Sequence, residues 1–239
     1  MTTGDDLLEY IFGGRRPAFY APFAAEVRES RRFRAFAHAY RDKIRAKLKN
    51  AGDDPGLLDL AAELETAALL LREARFAVEY ETYAAAKQRG PDLTVTYKTH
   101  TPFNVEVRRL RRIEPEQDDA DTRAARLTAV LVDKVGQMPP SIINFLWLVN
   151  ESPLSEADLA SAATGLLRTA EHKDDDLFAR RGFTDAADFL RQFQRLSGIV
   201  ARHSPAADLW LNPVARHKPP PDIAAALRRA ASDSQNTML

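Results

Sequence analysis

The chain has 239 residues, in which 34 lysines and arginines balance 34 aspartates and glutamates, and 45% of the residues are hydrophobic. This composition is typical of a globular protein with one large domain or two small ones. The lack of cysteine excludes disulfides, zinc–thiolate centres and thiol catalysis. No apolar run approaches the ~20 residues of a membrane-spanning helix, and the N-terminus has no apolar signal segment, so we expect a cytoplasmic protein without membrane association.

The first 55 residues predict a helical extension. Apolar residues recur there at steps of three and four, as in Phe33, Phe36, Tyr40, Ile44 and Leu48. Between residues 27 and 50, nine basic residues stand against two acidic ones. Such a block is either a solvated helix face or a surface for a polyanion such as DNA. In the second interpretation the candidate nucleic-acid-binding residues are Arg41, Lys43, Arg45 and Lys47.

A breaker segment at residues 50–56 predicts a boundary. An α/β domain is predicted over 56–231, and residues 232–239 are predicted to be a disordered tail. The hydrophobic pattern from Leu57 predicts a helix, three strands, a helix and a strand, which indicates a mixed sheet. Their predicted ranges are 57–75, 76–80, 93–97, 103–107, 121–137 and 142–149. Further helices are predicted at 155–171, 184–195 and 222–231, and short strands at 198–202 and 209–211.

The second and third strands form a predicted hairpin with its loop at 98–102. If the numbers of paired residues sum to 198–202, Asp92 lies opposite a position between 106 and 110. The strand period places Glu106 and Arg108 on one face with Asn104. Two neighbouring carboxylates form an oxygen site suited to Mg²⁺ or Mn²⁺, which phosphodiester hydrolysis can use. The alternative is a solvated hairpin face with a cross-strand salt bridge.

The segment Gly90-Pro91-Asp92, followed after thirteen residues by Glu106-Val107-Arg108, resembles the signature of the PD-(D/E)XK nuclease superfamily. The resemblance extends over residues 57–149, because helix, three strands, helix and strand is also the order of that family's core. It implies a restriction-endonuclease-like fold with an N-terminal helical extension and added C-terminal helices and strands.

The resemblance also implies a role for each matching residue. Asp92 and Glu106 would ligate the metal, and the carbonyl of Val107 would complete the set. Glu63 would assist from the preceding helix, with Glu65 as the competing choice. Arg108 replaces the family's lysine, and an arginine can stabilise negative charge but can hardly act as a base.

Three functions therefore remain open at this point. The first is Mg²⁺-dependent hydrolysis of phosphodiester bonds in DNA. The second is a catalytically inactive nuclease-like fold that binds nucleic acid or a protein, which the Arg108 replacement and the zero net charge favour. The third is a structural protein whose charged blocks pair with each other or with a second subunit, as in a homo-oligomer.

Overall fold

The fold was analysed in a computed structural model, which describes residues 4–52, 54–83, 90–111, 119–203 and 206–232. The predicted disordered tail lies outside these ranges except for Ser232. The helices of the described residues are α1 (Gly4–Phe12), α2 (Tyr20–Glu29), α3 (Arg31–Ala39), α4 (Arg41–Asn50), α5 (Asp54–Arg72), α6 (Ala120–Val135), α7 (Glu156–Glu171), α8 (Asp175–Ala179), α9 (Ala186–Phe193) and α10 (Pro221–Ala231). None of these helices is long and apolar enough to cross a lipid bilayer.

Six strands form one open sheet in the order of the sequence. They are β1 (Phe76–Tyr80), β2 (Leu93–Tyr97), β3 (Thr101–Leu110), β4 (Ile143–Asn150), β5 (Gly198–His203) and β6 (Ala206–Leu211). The pairs β3–β4 and β4–β5 are parallel, and the pairs β1–β2, β2–β3 and β5–β6 are antiparallel. The predicted α/β class with a mixed sheet is confirmed.

The described part of the N-terminal segment is helical, as predicted, and consists of α1–α4. The stripe from Phe33 to Leu48 is divided at Tyr40, whose backbone leaves the helical conformation between α3 and α4. Ser30 caps α3, because its hydroxyl accepts the backbone N–H of Phe33 at 3.1 Å. The sequence reading also missed α8, which begins after Asp174, a residue whose carboxylate accepts the N–H of Leu177.

The two faces of the sheet are covered by different helices. Alternating strand residues such as Val105 and Trp147 pack against α1–α5 and α10. The opposite alternation, which includes Leu146 and Leu148, packs against α6, α7, α8 and α9. The N-terminal helices thus share one core with α5 and the sheet, and the domain boundary at residue 55 stays a prediction.

The β2–β3 hairpin fixes the register on which the site depends. Tyr97 pairs with Thr101 and Leu93 pairs with Val105, so the numbers of paired residues sum to 198. Lys98 and Thr99 adopt positive φ angles of 46° and 69°, which close the three-residue turn. Continuing this register by one residue places Asp92 opposite Glu106.

Candidate functional site

Asp92 and Glu106 occupy neighbouring positions where β2 begins. The backbone of Asp92 is held from one side, because its carbonyl accepts the N–H of Glu81 at 2.8 Å. Its side chain is held from the other side, where carboxylate Oδ2 accepts the N–H of Val107 at 2.9 Å. Glu106 is 7% exposed and belongs to β3. The observed sum of 198 lies within the predicted 198–202, and its extension by one residue beyond the paired segment places Asp92 opposite Glu106.

The carbonyl of Val107 shares this environment. In an antiparallel pair the N–H and C=O of one strand residue point to the same neighbouring strand. The N–H of Val107 points to Asp92, and β2 begins only at Leu93. The Val107 carbonyl therefore faces the side of β3 on which Asp92 lies.

Glu63 of α5 is the third acidic residue of the site, and it contacts Tyr80 of β1 and Lys47 of α4. Its carboxylate accepts a hydrogen bond from the phenol of Tyr80 and lies 2.6 Å from Nζ of Lys47. The Lys47 ammonium also lies 2.8 Å from Oε1 of Glu81. The other helix glutamate, Glu65, instead forms a buried ion pair with Arg202 at 2.6 Å. Of the two glutamates, Glu63 is the one beside Asp92.

We call Glu63, Asp92 and Glu106 the acidic trio. Burial raises the pKa of Asp92 well above its usual range, and repulsion from Glu63 and Glu106 raises it further, against the hydrogen bond from Val107. Burial also raises the pKa of Glu63, although Lys47 and Tyr80 oppose that shift. The pKa of Tyr80 is raised well above its usual value by burial and by Glu63. Within the acidic trio, Glu63 and Glu106 thus both disfavour ionisation of the buried Asp92.

Lys134 is the residue of this site that the sequence reasoning missed. It lies in the last turn of α6 and forms an ion pair with Glu106, in which both side chains are less than one-fifth exposed. One sequence signal could have indicated it. Lys134 stands three residues after Leu131 and seven after Leu127, on the apolar stripe of its helix, where a solvated lysine is not expected.

Arg108 lies apart from the ion pair of Glu106 and Lys134. Its side chain is exposed and lines a groove of about 300 Å³ between the end of β3 and α6. Arg109, which follows it, turns to the other side and pairs with Asp59 at 3.2 Å and with Glu151 at 3.1 Å. The amine nearest to Glu106 thus comes from α6, while residue 108 contributes a guanidinium to the outer groove.

The four basic residues predicted to bind nucleic acid divide into two pairs. Lys43 and Lys47 turn inwards: Lys43 donates to the carbonyls of Tyr80 and Glu81 at 3.0 Å each, and Lys47 joins Glu63. Arg41 and Arg45 lie over the ring of Tyr10, with Arg45 at 4.7 Å from its centroid. Nucleic-acid binding by this helix stays a prediction, and the two arginines are its outward-facing members.

The donor atoms of the site suit a hard divalent cation. Carboxylate and carbonyl oxygens are the ligands that Mg²⁺ and Mn²⁺ prefer, and a cation relieves the repulsion that raises the Asp92 pKa. Lys134 and Lys47 balance two of the three carboxylates in the described arrangement. Within the described ranges no group of three or more His, Cys, Asp or Glu side chains is arranged to hold a metal ion.

Comparisons with protein-family models, with curated proteins and with solved structures find no match to this chain. The interpretation of the site therefore depends on its own geometry and chemistry.

Proposed function

We propose that the protein is a divalent-metal-dependent nuclease that hydrolyses phosphodiester bonds in DNA. The observation that carries the proposal is the buried Asp92 carboxylate, which accepts the N–H of Val107 beside Glu106 and interacts electrostatically with Glu63 and Glu106. The order α5, β1, β2, β3, α6 and β4 supports a restriction-endonuclease-like core, since it is the order that the sequence resemblance implies.

In this proposal Asp92, Glu106 and the carbonyl of Val107 hold Mg²⁺ or Mn²⁺, and Glu63 assists from α5. The cation supplies positive charge that a phosphodiester needs as negative charge develops on its oxygens. The cation would also offset the repulsion between Asp92 and the two other acids.

The basic residues of the chain have separate tasks in this mechanism. Lys134 orients the Glu106 carboxylate and presents an ammonium group to a phosphate that approaches Glu106. Lys47 and Tyr80 hold Glu63 in place. Arg108 lines the outer groove, where its guanidinium can bind a phosphate oxygen, but an arginine can hardly act as a base.

The second candidate function is a nuclease-like module that binds without cleaving. The observation that favours it is the balance of charge inside the site. Lys134 neutralises Glu106 and Lys47 neutralises Glu63, so these two carboxylates are stabilised without a metal ion. The partner would then be a nucleic acid or a protein, including a second copy of this chain.

Nicking of supercoiled DNA with Mn²⁺ or Mg²⁺ separates the two functions. We expect cleavage by the wild type, and loss of cleavage in Asp92→Asn and in Glu106→Gln. The matched controls are Asp208→Asn and Glu171→Gln, which remove exposed carboxylates from β6 and α7. Cleavage that survives in Asp92→Asn would contradict the proposal. An inactive wild type that still binds DNA would establish the second candidate.

A further inference from the structure

A second pocket, lined by leucines as well as polar residues, lies at the carboxyl ends of the parallel strands β3 and β4. Leu110 and Asn150, the last residues of these strands, are in register with each other. The pocket has a volume of about 20 Å³, and its polar lining consists of Arg111, Arg123, Arg126, Asn150 and Ser152. No carboxylate is among its described lining residues. It adjoins the outer groove of Arg108, because Leu110, Arg111 and Arg126 line both.

Asn150 is the unusual residue of this pocket. Only 7% of it is exposed, yet neither its amide nitrogen nor its amide oxygen has a hydrogen-bond partner among the described residues. A buried polar group without a partner is costly, so native proteins retain one where a water or a ligand satisfies it. The pocket has room beside Asn150 for about one oxygen-sized group.

Three arginines surround this unsatisfied amide. Arg126 is anchored, because Nη2 donates to the backbone carbonyl of Arg111 at 2.6 Å, which leaves further N–H groups of the guanidinium for a ligand. Arg123 lies 4.0 Å from the carboxylate of Asp158, so part of its charge is already compensated. Guanidinium groups and an amide N–H are the donors that bind a phosphate group with high geometric specificity.

We propose that this pocket binds one oxygen of a phosphate group, with Arg126 and Arg111 supplying charge and Asn150 donating its amide N–H. The carboxyl ends of parallel strands are where α/β sheets most often bind ligands. Along β3 the pocket lies four residues beyond Glu106, which is about 13 Å of strand, or roughly four nucleotide steps of a B-form strand. We assign this phosphate to the same nucleic-acid strand as the scissile bond, an assignment that rests on this spacing and on the proposed function. The pocket itself does not.

Binding measured with EDTA present tests the pocket separately from hydrolysis. The probes are inorganic phosphate, a 5′-phosphorylated oligonucleotide and the same oligonucleotide without that phosphate. We expect Arg126→Gln and Asn150→Leu each to weaken phosphate-dependent binding at least about tenfold, because each removes a donor from a poorly solvated site. The control Arg168→Gln removes an exposed arginine from α7 and leaves binding unchanged.

The Asn150→Leu variant provides a second readout. A leucine of similar size removes the unsatisfied amide, so we expect a higher melting temperature together with weaker phosphate binding. Phosphate binding that is equal in the wild type and both variants would overturn the inference, and so would a wild type that binds none of the probes. Binding by inorganic phosphate alone would assign the pocket to free phosphate. If the wild type binds phosphate but does not cleave DNA, the proposed function is wrong and the phosphate site remains supported.

Discussion

Lys134 on α6 forms an ion pair with Glu106 on β3, across 28 residues of sequence. The amine beside Glu106 thus belongs to Lys134 of α6, a helix that packs on one face of the sheet, and not to residue 108, which is an arginine. We expect Lys134→Met to lower metal-dependent nicking by about 10²–10³-fold, the usual cost of losing one positioned donor at a developing charge. The control Lys173→Met removes an exposed lysine and leaves activity unchanged.

A second substitution at the same position separates charge from proton transfer. Lys134→Arg keeps the positive charge beside Glu106 but cannot release a proton. If Lys134 only neutralises charge, Lys134→Arg retains stability and most of the activity. If its amine exchanges a proton, this variant is as stable as the wild type yet inactive. Activity that Lys134→Met leaves unchanged would show that Lys134 is only a structural partner of Glu106.

Asp92→Asn is expected to stabilise the protein at neutral pH. The native pKa of Asp92 is raised, so the folded protein binds this proton more tightly than the unfolded chain does. Stability contributed by Asp92 therefore falls as pH rises from its unfolded pKa towards its native pKa. The asparagine avoids this cost, and a gain of about 1 kcal/mol would raise the melting temperature by roughly 2–4 °C.

The same variant reports on metal binding. Mg²⁺ or Mn²⁺ should raise the melting temperature of the wild type, because a ligand that binds only the folded state stabilises it. Asp92→Asn should lose that increase, whereas Asp208→Asn should keep it. Equal metal-induced shifts in the wild type and Asp92→Asn would place the cation elsewhere.

The contribution of Glu73 to folding stability depends on pH in the opposite direction from that of Asp92. Hydrogen bonds from Arg75 and Arg229 lower the pKa of Glu73 to about 2, against the effect of its burial. Its stabilising contribution is complete above its unfolded pKa and is lost as pH falls through its native pKa. We expect Glu73→Gln to be less stable than the wild type at pH 7 and to approach it near pH 2. Urea denaturation across this range, with Glu171→Gln as the control, measures the difference.

Glu65 and Arg202 form a buried salt bridge between α5 and β5. Both side chains are 2% exposed, and Arg202 also donates to the carbonyl of Ala231 at the end of α10. Glu65→Ala leaves an uncompensated buried arginine, so we expect a loss of about 3–5 kcal/mol in the free energy of unfolding. The double variant Glu65→Leu with Arg202→Met should recover much of it. If the double variant is as unstable as Glu65→Ala, the uncompensated charge of Arg202 is not the main cause of the lost stability.

Nucleic-acid binding by α4 is tested best with its two outward-facing arginines. Reversing all four basic residues would also break the contacts of Lys43 and Lys47 with Tyr80, Glu81 and Glu63. Arg41→Gln combined with Arg45→Gln avoids this. If both arginines contact phosphates, the negative slope of log binding constant against log salt concentration becomes less steep by about 1.8. Unchanged affinity and slope, as expected for the control pair Arg168→Gln with Arg180→Gln, would exclude α4 from the interface.

The sequence alone determined most of the order of helices and strands, although not α8, and it limited the position opposite Asp92 to residues 106–110. Both follow from local periodicity, since alternation sets the faces of a strand and a short turn sets the register of a hairpin. Local periodicity could not decide between Glu63 and Glu65, because α5 is buried around most of its circumference over residues 60–71 and both glutamates meet partners.

Only the tertiary structure decided which basic groups reach the acids and where a second pocket forms. Lys134 and Lys47 meet Glu106 and Glu63 because α6 and α4 pack with particular rotations against the sheet and α5. Asn150, at the end of β4, lines a pocket with two arginines of α6 and has no side-chain hydrogen-bond partner among the described residues. Such contacts join residues distant in sequence, and they depend on how helices pack together, which no pattern along one segment encodes.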